Sequence, residues 1–199
     1  SLSDPETSVS SRTAFLTIQR QGKRMSRLIN DMLDYTRLEM RPDRYPKQNV
    51  DLSALTTSLC DDMALIRQQG IQLTADIQPE INIYGNPQLL SRLVTHLISN
   101  AYRYGKENGH ILVRLHSNDT GASERRLLSL SVEDDGIGIS KEEQKHIFQR
   151  FYQVDPSRSG AGTGLGLSMV QQIAEFHNGT VTVKSAPGDG SIFTVLMFL

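Results

Sequence analysis

The 199 residues are 38% hydrophobic and 22% charged, with a formal net charge of -1, so a packed core is attainable and no bulk charge recruits nucleic acid or an anionic membrane. Cys60 is the only cysteine, which excludes an intrachain disulfide, and its apolar neighbours from Leu59 to Met63 mark it as a buried structural thiol. No apolar run approaches the roughly 18 residues of a membrane span, and the polar start Ser1 to Ser11 has no signal-peptide core, so a soluble piece is expected, from a parent that is free to be membrane-anchored.

From about Arg12 to Met40, Phe15, Ile18, Met25, Leu28, Ile29, Met32, Leu33 and Tyr35 follow helical spacing, interrupted at Gly22. One helix cannot bury its own stripe, so Met25, Ile29 and Met32 need partner helices from elsewhere in the parent or from a second copy. Pro42 and Pro46 end this helix, and a domain boundary is expected there, dividing residues 1–41 from 47–199. Next come a short strand at Gln48 to Val50, a helix from Leu52 to Gln69 capped by Asp51, and strands at Ile71 to Ile77 and Ile81 to Tyr84. Asn86-Pro87 supplies a cap and a first-turn proline for a helix whose apolar residues keep period from Leu89 through Ala101 to Tyr104.

His110 to His116 and Leu127 to Val132 alternate as a hairpin across the polar loop Ser117 to Arg125. Ser140-Lys-Glu-Glu143 reads as a capping box opening a short helix through Ile147. A helix from Gly164 to His177 and strands at Thr180 to Lys184 and Ile192 to Phe198 complete an α+β chain. The expected architecture is a two-layer α/β sandwich, with a mixed or antiparallel sheet covered on one face by helices.

Two glycine-rich segments carry candidate chemistry: Asp134-Asp-Gly-Ile-Gly-Ile139 and Gly162-Thr-Gly-Leu-Gly-Leu167. Glycines ahead of a helix let backbone approach a phosphate, and the free amides of a helix start favour an anion. Neither segment is followed by Gly-Lys-Ser or Gly-Lys-Thr, and neither has dinucleotide-fold spacing, so another plan of phosphate binding is needed.

Four segments in one order resemble the boxes of the histidine kinases, members of the Bergerat-type ATPase superfamily that also holds gyrase, Hsp90 and MutL. They are His96-Leu-Ile-Ser-Asn100-Ala-Tyr-Arg-Tyr104 for the N box, Asp134 to Ile139 for G1, Ile147-Phe-Gln-Arg-Phe151 for F and Gly162 to Leu167 for G2. Upstream, Arg24 to Glu39 resembles the second helix of the kinases' dimerisation and phosphoacceptor domain.

The resemblance implies that Asn100 gives an oxygen to the Mg²⁺ that accompanies ATP, in keeping with a hard cation that takes oxygen ligands. It implies that Asp134 accepts from the adenine amine, which selects ATP over GTP. Gly136, Gly138 and Ile139 would then pass under the nucleotide, Arg103 reach the phosphates, and Tyr104 and Tyr152 pack near it. Gly162, Thr163, Gly164, Leu165, Gly166 and Leu167 would cradle the phosphates, and Arg150 would act on the γ-phosphate side of transfer. Asp135 reads as a solvated turn carboxylate, Phe148 and Phe151 as packing anchors, and Gln153 to Ala161, with Arg158, as a lid that orders over ATP. The activity implied is transfer of the γ-phosphoryl group to a histidine and then to an aspartate of a response regulator, in a homodimer formed through the helical domain.

Two features depart from the pattern. None of the five histidines has the acceptor context of that family, so the acceptor is expected outside this chain. His96 stands one helical turn before Asn100, where kinases usually carry Asn and the gyrase branch a catalytic Glu; both side chains share a face. A degenerate nucleotide-binding module, a gyrase- or MutL-type ATPase and an anti-sigma serine kinase remain open as alternatives on the sequence alone.

Overall fold

The computed structural model describes residues 5–65, 70–118, 126–154 and 163–198. Helix α1 spans Pro5–Met40 and starts earlier than its apolar periodicity predicts. A single 3-10 turn over Pro42–Arg44 then redirects the chain, as the two prolines require. Strand β1 (Gln48–Asp51) pairs antiparallel with β3 (Asn82–Gly85) in a two-stranded ribbon. Between them lie α2 (Leu52–Ala64) and β2 (Gln72–Ile77). Asp51 caps α2 by accepting from the Ala54 amide at 2.9 Å. Helix α2 ends before the predicted Gln69, and positions 66–69 lie outside the described residues.

Helix α3 (Pro87–Tyr104) begins as its sequence predicts, with Asn86 accepting from the Leu89 amide at 3.0 Å and proline in the first turn. Its residues Leu89, Leu90, Leu93, Val94, Leu97 and Ile98 are at most 1% exposed, so one face of this helix is the centre of the core. Strands β4 (His110–Asn118) and β5 (Leu127–Asp134) form the predicted hairpin, whose loop at 119–125 lies outside the described residues. The Ser140/Glu143 capping box opens α4, a short helix at Lys141–Gln144. Helix α5 (Gly166–Phe176) starts two residues later than predicted, because Gly164 sits at φ +71, outside helical space. Strands β6 (Thr180–Ser185) and β7 (Ser191–Phe198) follow.

The main sheet has the order β2-β4-β5-β7-β6, with β2 parallel to β4 and every other pair antiparallel. Alternate residues of β4, β5 and β7, among them Val113, Leu130 and Val195, are fully buried on the side covered by α3 and α5, while the intervening ones face away, and α2 packs on β2. The expected two-layer sandwich with a mixed sheet is what forms. His177, just past α5, ties the small ribbon to this body: its Nε2 accepts from the Asn86 amide at 3.1 Å and its Nδ1 donates to the Ile173 carbonyl at 2.8 Å. Among the described residues no helix is long and apolar enough to cross a membrane.

Candidate functional site

Helix α3 has a second face. Thr95, His96, Ser99, Asn100, Arg103 and Tyr104 recur at helical spacing opposite the core stripe and line a cavity of about 290 Å³. Its other walls are the loop after β5, the 147–154 segment and the start of α5.

Asp134 closes one end. It is the last residue of β5, paired in register with Ser191 of β7, and only 5% exposed. Burial pushes its carboxyl up to about 6; backbone hydrogen bonds from Gly136 and Ser191 oppose this and the neighbouring Asp135 and Glu133 charges add to it. The Gly136 amide donates to Asp134 Oδ1 at 2.9 Å. A side chain at Gly136 would meet the Tyr104 carbonyl and the Asp134 carboxylate, so the loop lies directly on the end of α3. That loop is pinned further by Ile137 N to Tyr104 O at 3.1 Å, Gly188 N to Ile137 O at 2.8 Å and Ile139 N to Ser185 Oγ at 2.8 Å. Asp135 differs from expectation. Instead of a solvated turn carboxylate it is half-buried, with Oδ1 shielded from solvent, close to Gly109 and, among the described residues, without a hydrogen-bond partner.

The opposite end is the start of α5. Among the described residues no side chain caps this helix at Leu165, which leaves its first amides open to an anionic acceptor. Thr163 Oγ1 accepts from the Leu165 amide at 3.3 Å and donates to Asp31 Oδ2 of α1 at 3.2 Å. A Cβ at Gly166 would lie 3.6 Å from His96 Nδ1, so helix start and imidazole face each other. Burial lowers the His96 pKa; Asp31 opposes that shift, while Arg92 and Arg103 reinforce it, so the site favours the neutral ring. Among the described residues nothing hydrogen-bonds the Asn100 side chain, half-buried in the middle of the cavity wall.

The structure brings most of the predicted site residues together. His96, Asn100, Arg103 and Tyr104 line the cavity from α3; Asp134, Gly138 and Ile139 from the loop after β5; and Tyr152, Thr163, Gly164, Gly166 and Leu167 from the remaining wall. Gly136 supports the loop from behind, and Leu165 is 2% exposed and does not line the cavity. Arg150 is outside it: Nη2 donates to Glu39 Oε1 of α1 at 2.8 Å, and the guanidinium lies 4.1 Å from the centre of the Tyr35 ring. Phe148 packs on the core as expected, whereas Phe151 is 55% exposed, its backbone at φ +64 and its amide bonded to the Gly164 carbonyl. Gly162, Arg158 and positions 155–161 of the predicted lid lie outside the described residues.

Sequence reasoning missed Asp31, Thr95, Ser99 and Ser191, all of which line the cavity. Ser99 and Thr95 were available from the helical period that passes through Asn100, His96 and Arg103. Ser191 follows only from strand register, and Asp31 only from tertiary docking of α1.

A sheet-backed cavity with a buried carboxylate at one end and an uncapped helix start at the other defines a nucleotide-binding domain. Residues 85–199 match the family described as histidine kinase-, DNA gyrase B- and HSP90-like ATPase, and the chain belongs to that family. Within it, the chain is similar to the sensor histidine kinases. It is 38% identical over 187 residues to sensor histidine kinase RppB of Synechocystis sp., covering 92% of this chain and 40% of that protein. The mycobacterial sensor histidine kinase MprB superposes with a TM-score of 0.65 at 25% identity, over 76% of this chain and 97% of that one. Full-length ShkA, solved in complex with AMPPNP, superposes with a TM-score of 0.78 at 24% identity, over 94% of this chain and 38% of that one. This chain therefore spans two fifths or less of the curated relatives it matches first.

Proposed function

We propose that this chain is the nucleotide-binding and phosphoryl-donating part of a sensor histidine kinase, with the catalytic domain over residues 47–199 and residues 1–41 contributed by the dimerisation and phosphoacceptor domain. The observation that carries the reading is Asp134, a carboxylate buried at the closed end of the cavity where an adenine amine would be its natural partner. Adenine then lies between Ile137, Ile139 and the α3 face, and the polyphosphate runs past Asn100 towards the start of α5.

Asn100 fits a magnesium ion that arrives with the nucleotide. Among the described residues no cluster of three His, Cys, Asp or Glu could hold a metal alone. One amide oxygen plus phosphate oxygens and water is the donor set that Mg²⁺ accepts. When bound, the ion would neutralise charge on the β- and γ-phosphates. Arg103 at the rim supplies a fixed positive charge, and the α5 amides supply an oriented dipole. Transfer of this kind relies on positioning and charge neutralisation rather than on a covalent group of the domain.

The recipient is a histidine outside this sequence, with a response-regulator aspartate beyond it. A second copy of the chain would cover Met25, Ile29 and Met32, all more than half exposed on α1. The residue one turn before Asn100 is His96 and not a carboxylate, which disfavours hydrolysis by a water-activating base.

Calorimetry tests the reading. Mg-ATP and Mg-ADP are expected to bind in preference to Mg-GTP, and Asp134→Asn to weaken adenine-nucleotide binding by about 1–3 kcal/mol. Equal affinity of the unaltered chain for ATP and GTP would exclude the assignment of Asp134.

A further inference from the structure

Helix α1 presents two separate faces. Asp31, Asp34, Tyr35 and Leu38 lie at i, i+3, i+4 and i+7, with Glu39 beside them, and all five meet the catalytic domain. Leu38 is 3% exposed. Asp34 pairs with Arg92 at 2.6 Å, Glu39 and Tyr35 hold Arg150, and Asp31 accepts from Thr163 at 3.2 Å. The apolar residues Met25, Ile29, Met32, Leu33 and Met40 are exposed on the other side. The domain-facing side is thus acidic and polar around one buried leucine.

The placement of Asp31 is what matters for the site. It lines the same cavity as Asn100 and His96, at the α5 end and away from Asp134. A carboxylate there, bonded to Thr163 and sharing a cavity wall with Gly166, sets a negative charge near the helix start whose amides would otherwise attract an anion. It also accepts the hydrogen bond of the Thr163 hydroxyl, a donor that is then not available to a phosphate oxygen. Mg-ATP remains net negative, so a docked Asp31 repels it in a confined, partly desolvated space.

We propose that α1 is a nucleotide-competing strap: docked, it places the Asp31 carboxylate at the phosphate end of the cavity and engages Thr163 and Arg150, so that polyphosphate binding and α1 docking oppose each other. The proposal rests on the reading of the cavity as an ATP site and adds its regulation. By linkage the antagonism is reciprocal: whatever releases α1 raises nucleotide affinity, and nucleotide loosens α1. The dimer-facing stripe lies on the opposite side of the same helix, so a movement of the helical domain can release the strap without dismantling a helix pair.

The test measures binding of ATP, ADP, AMP and adenosine, with magnesium, to the whole chain and three variants. Asp31→Asn keeps size and an acceptor for Thr163 but removes the charge; it is expected to raise Mg-ATP affinity on the order of tenfold, ADP less, AMP less again and adenosine not at all. Leu38→Ala combined with Glu39→Ala loosens docking without touching the cavity, and should raise Mg-ATP affinity similarly. Adding Asp31→Asn to that pair should then bring no further gain. Amide exchange in α1 around residues 34–40 should quicken when Mg-AMPPNP is added. Unchanged or reduced ATP affinity in Asp31→Asn, with the unaltered chain still binding ATP, overturns the strap alone and leaves Asp31 as a support for Thr163. A gain equal for adenosine and ATP overturns it too. Failure of every variant and of the unaltered chain to bind any adenine nucleotide overturns the ATP reading together with the strap.

Discussion

With Asp134 as the proposed adenine partner, base recognition and stability should both depend on pH, with opposite signs. In the empty protein its carboxyl titrates at about 6 because burial disfavours the charge. A carboxylate accepts from the adenine amine and a protonated acid does so poorly, so below about pH 6 binding must first remove a proton. Affinity then falls about tenfold per pH unit, which makes binding at pH 5 about tenfold, or about 1.4 kcal/mol, weaker than at pH 7. The nucleotide's own terminal phosphate also titrates, near roughly pH 6, so the informative quantity is the ratio of affinities between the unaltered chain and Asp134→Asn. That ratio should shrink about tenfold from pH 7 to pH 5 in calorimetric titrations.

For stability, the folded pKa is raised above the ordinary carboxyl value of 3.8, so the folded state holds this proton more tightly than the unfolded one. The stabilising contribution is present below 3.8 and is lost as pH rises through about 6. At pH 7 the empty protein therefore carries a cost on the order of 3 kcal/mol for holding this carboxylate charged. Asparagine at 134 keeps an acceptor for the Gly136 amide and avoids the charge. Asp134→Asn should melt higher than the unaltered chain at pH 7 without nucleotide, and lose most of that advantage near pH 4. Parallel pH profiles of binding, or a destabilised empty Asp134→Asn at pH 7, would refute this account of the residue.

Four further outcomes are expected. His96→Asn should preserve or improve Mg-ATP binding while His96→Leu weakens it, read by calorimetry with and without magnesium; identical affinities in all three would reduce His96 to a filler of the helix face. His177→Phe should cost about 1–3 kcal/mol in denaturant unfolding, since the buried Asn86 amide loses its acceptor. Burial lowers the His177 pKa, with the Ile173 carbonyl opposing and Lys47 assisting; its stabilising share is present above about pH 6.5 and lost as pH falls, so the acid-side drop in stability should be shallower in His177→Phe. Gly138→Ala should destabilise by about 2 kcal/mol or more, because Gly138 sits at φ +70 against the Ala186 carbonyl, and a thermal melt equal to that of the unaltered chain would show that the loop relaxes.

The sheet, its hairpin and the helix starts were legible because they rest on local chemistry: alternation in β4 and β5, the caps Asp51 and Asn86, the Ser140/Glu143 box. The α3 face was legible for the same reason, as one helical period links His96 to Asn100 and Arg103. Two kinds of information were not. The start of α5 depends on one backbone angle at Gly164, where the composition suggests helix and the φ of +71 forbids it. The destinations of Asp31, Asp34, Glu39 and Arg150 depend on how α1 docks, across more than a hundred residues of chain for Arg150 with Glu39. A run of acids on one helical face ordinarily means solvent, and nothing local distinguishes it from a docking face.

The two ends of the cavity are also held with unequal firmness, and that difference predicts how binding is divided between them. The Asp134 end is fixed by strand pairing with β7 and by backbone bonds from Ile137 to Tyr104 and from Gly188 to Ile137. Among the described residues the loop ahead of α5 is held by one backbone bond, Phe151 to Gly164 at 2.9 Å, and by two longer side-chain bonds in series, Leu165 to Thr163 at 3.3 Å and Thr163 to Asp31 at 3.2 Å. On the proposed reading, a preorganised base pocket at Asp134 would contribute affinity with little ordering cost, whereas a phosphate grip at α5 assembled on binding would contribute geometry and therefore timing. Changes at the Asp134 end should accordingly shift affinity for adenosine, AMP and ATP alike. Changes at Thr163, Asp31 or His96 should register only with phosphorylated ligands, and most strongly where the terminal phosphate must be aimed.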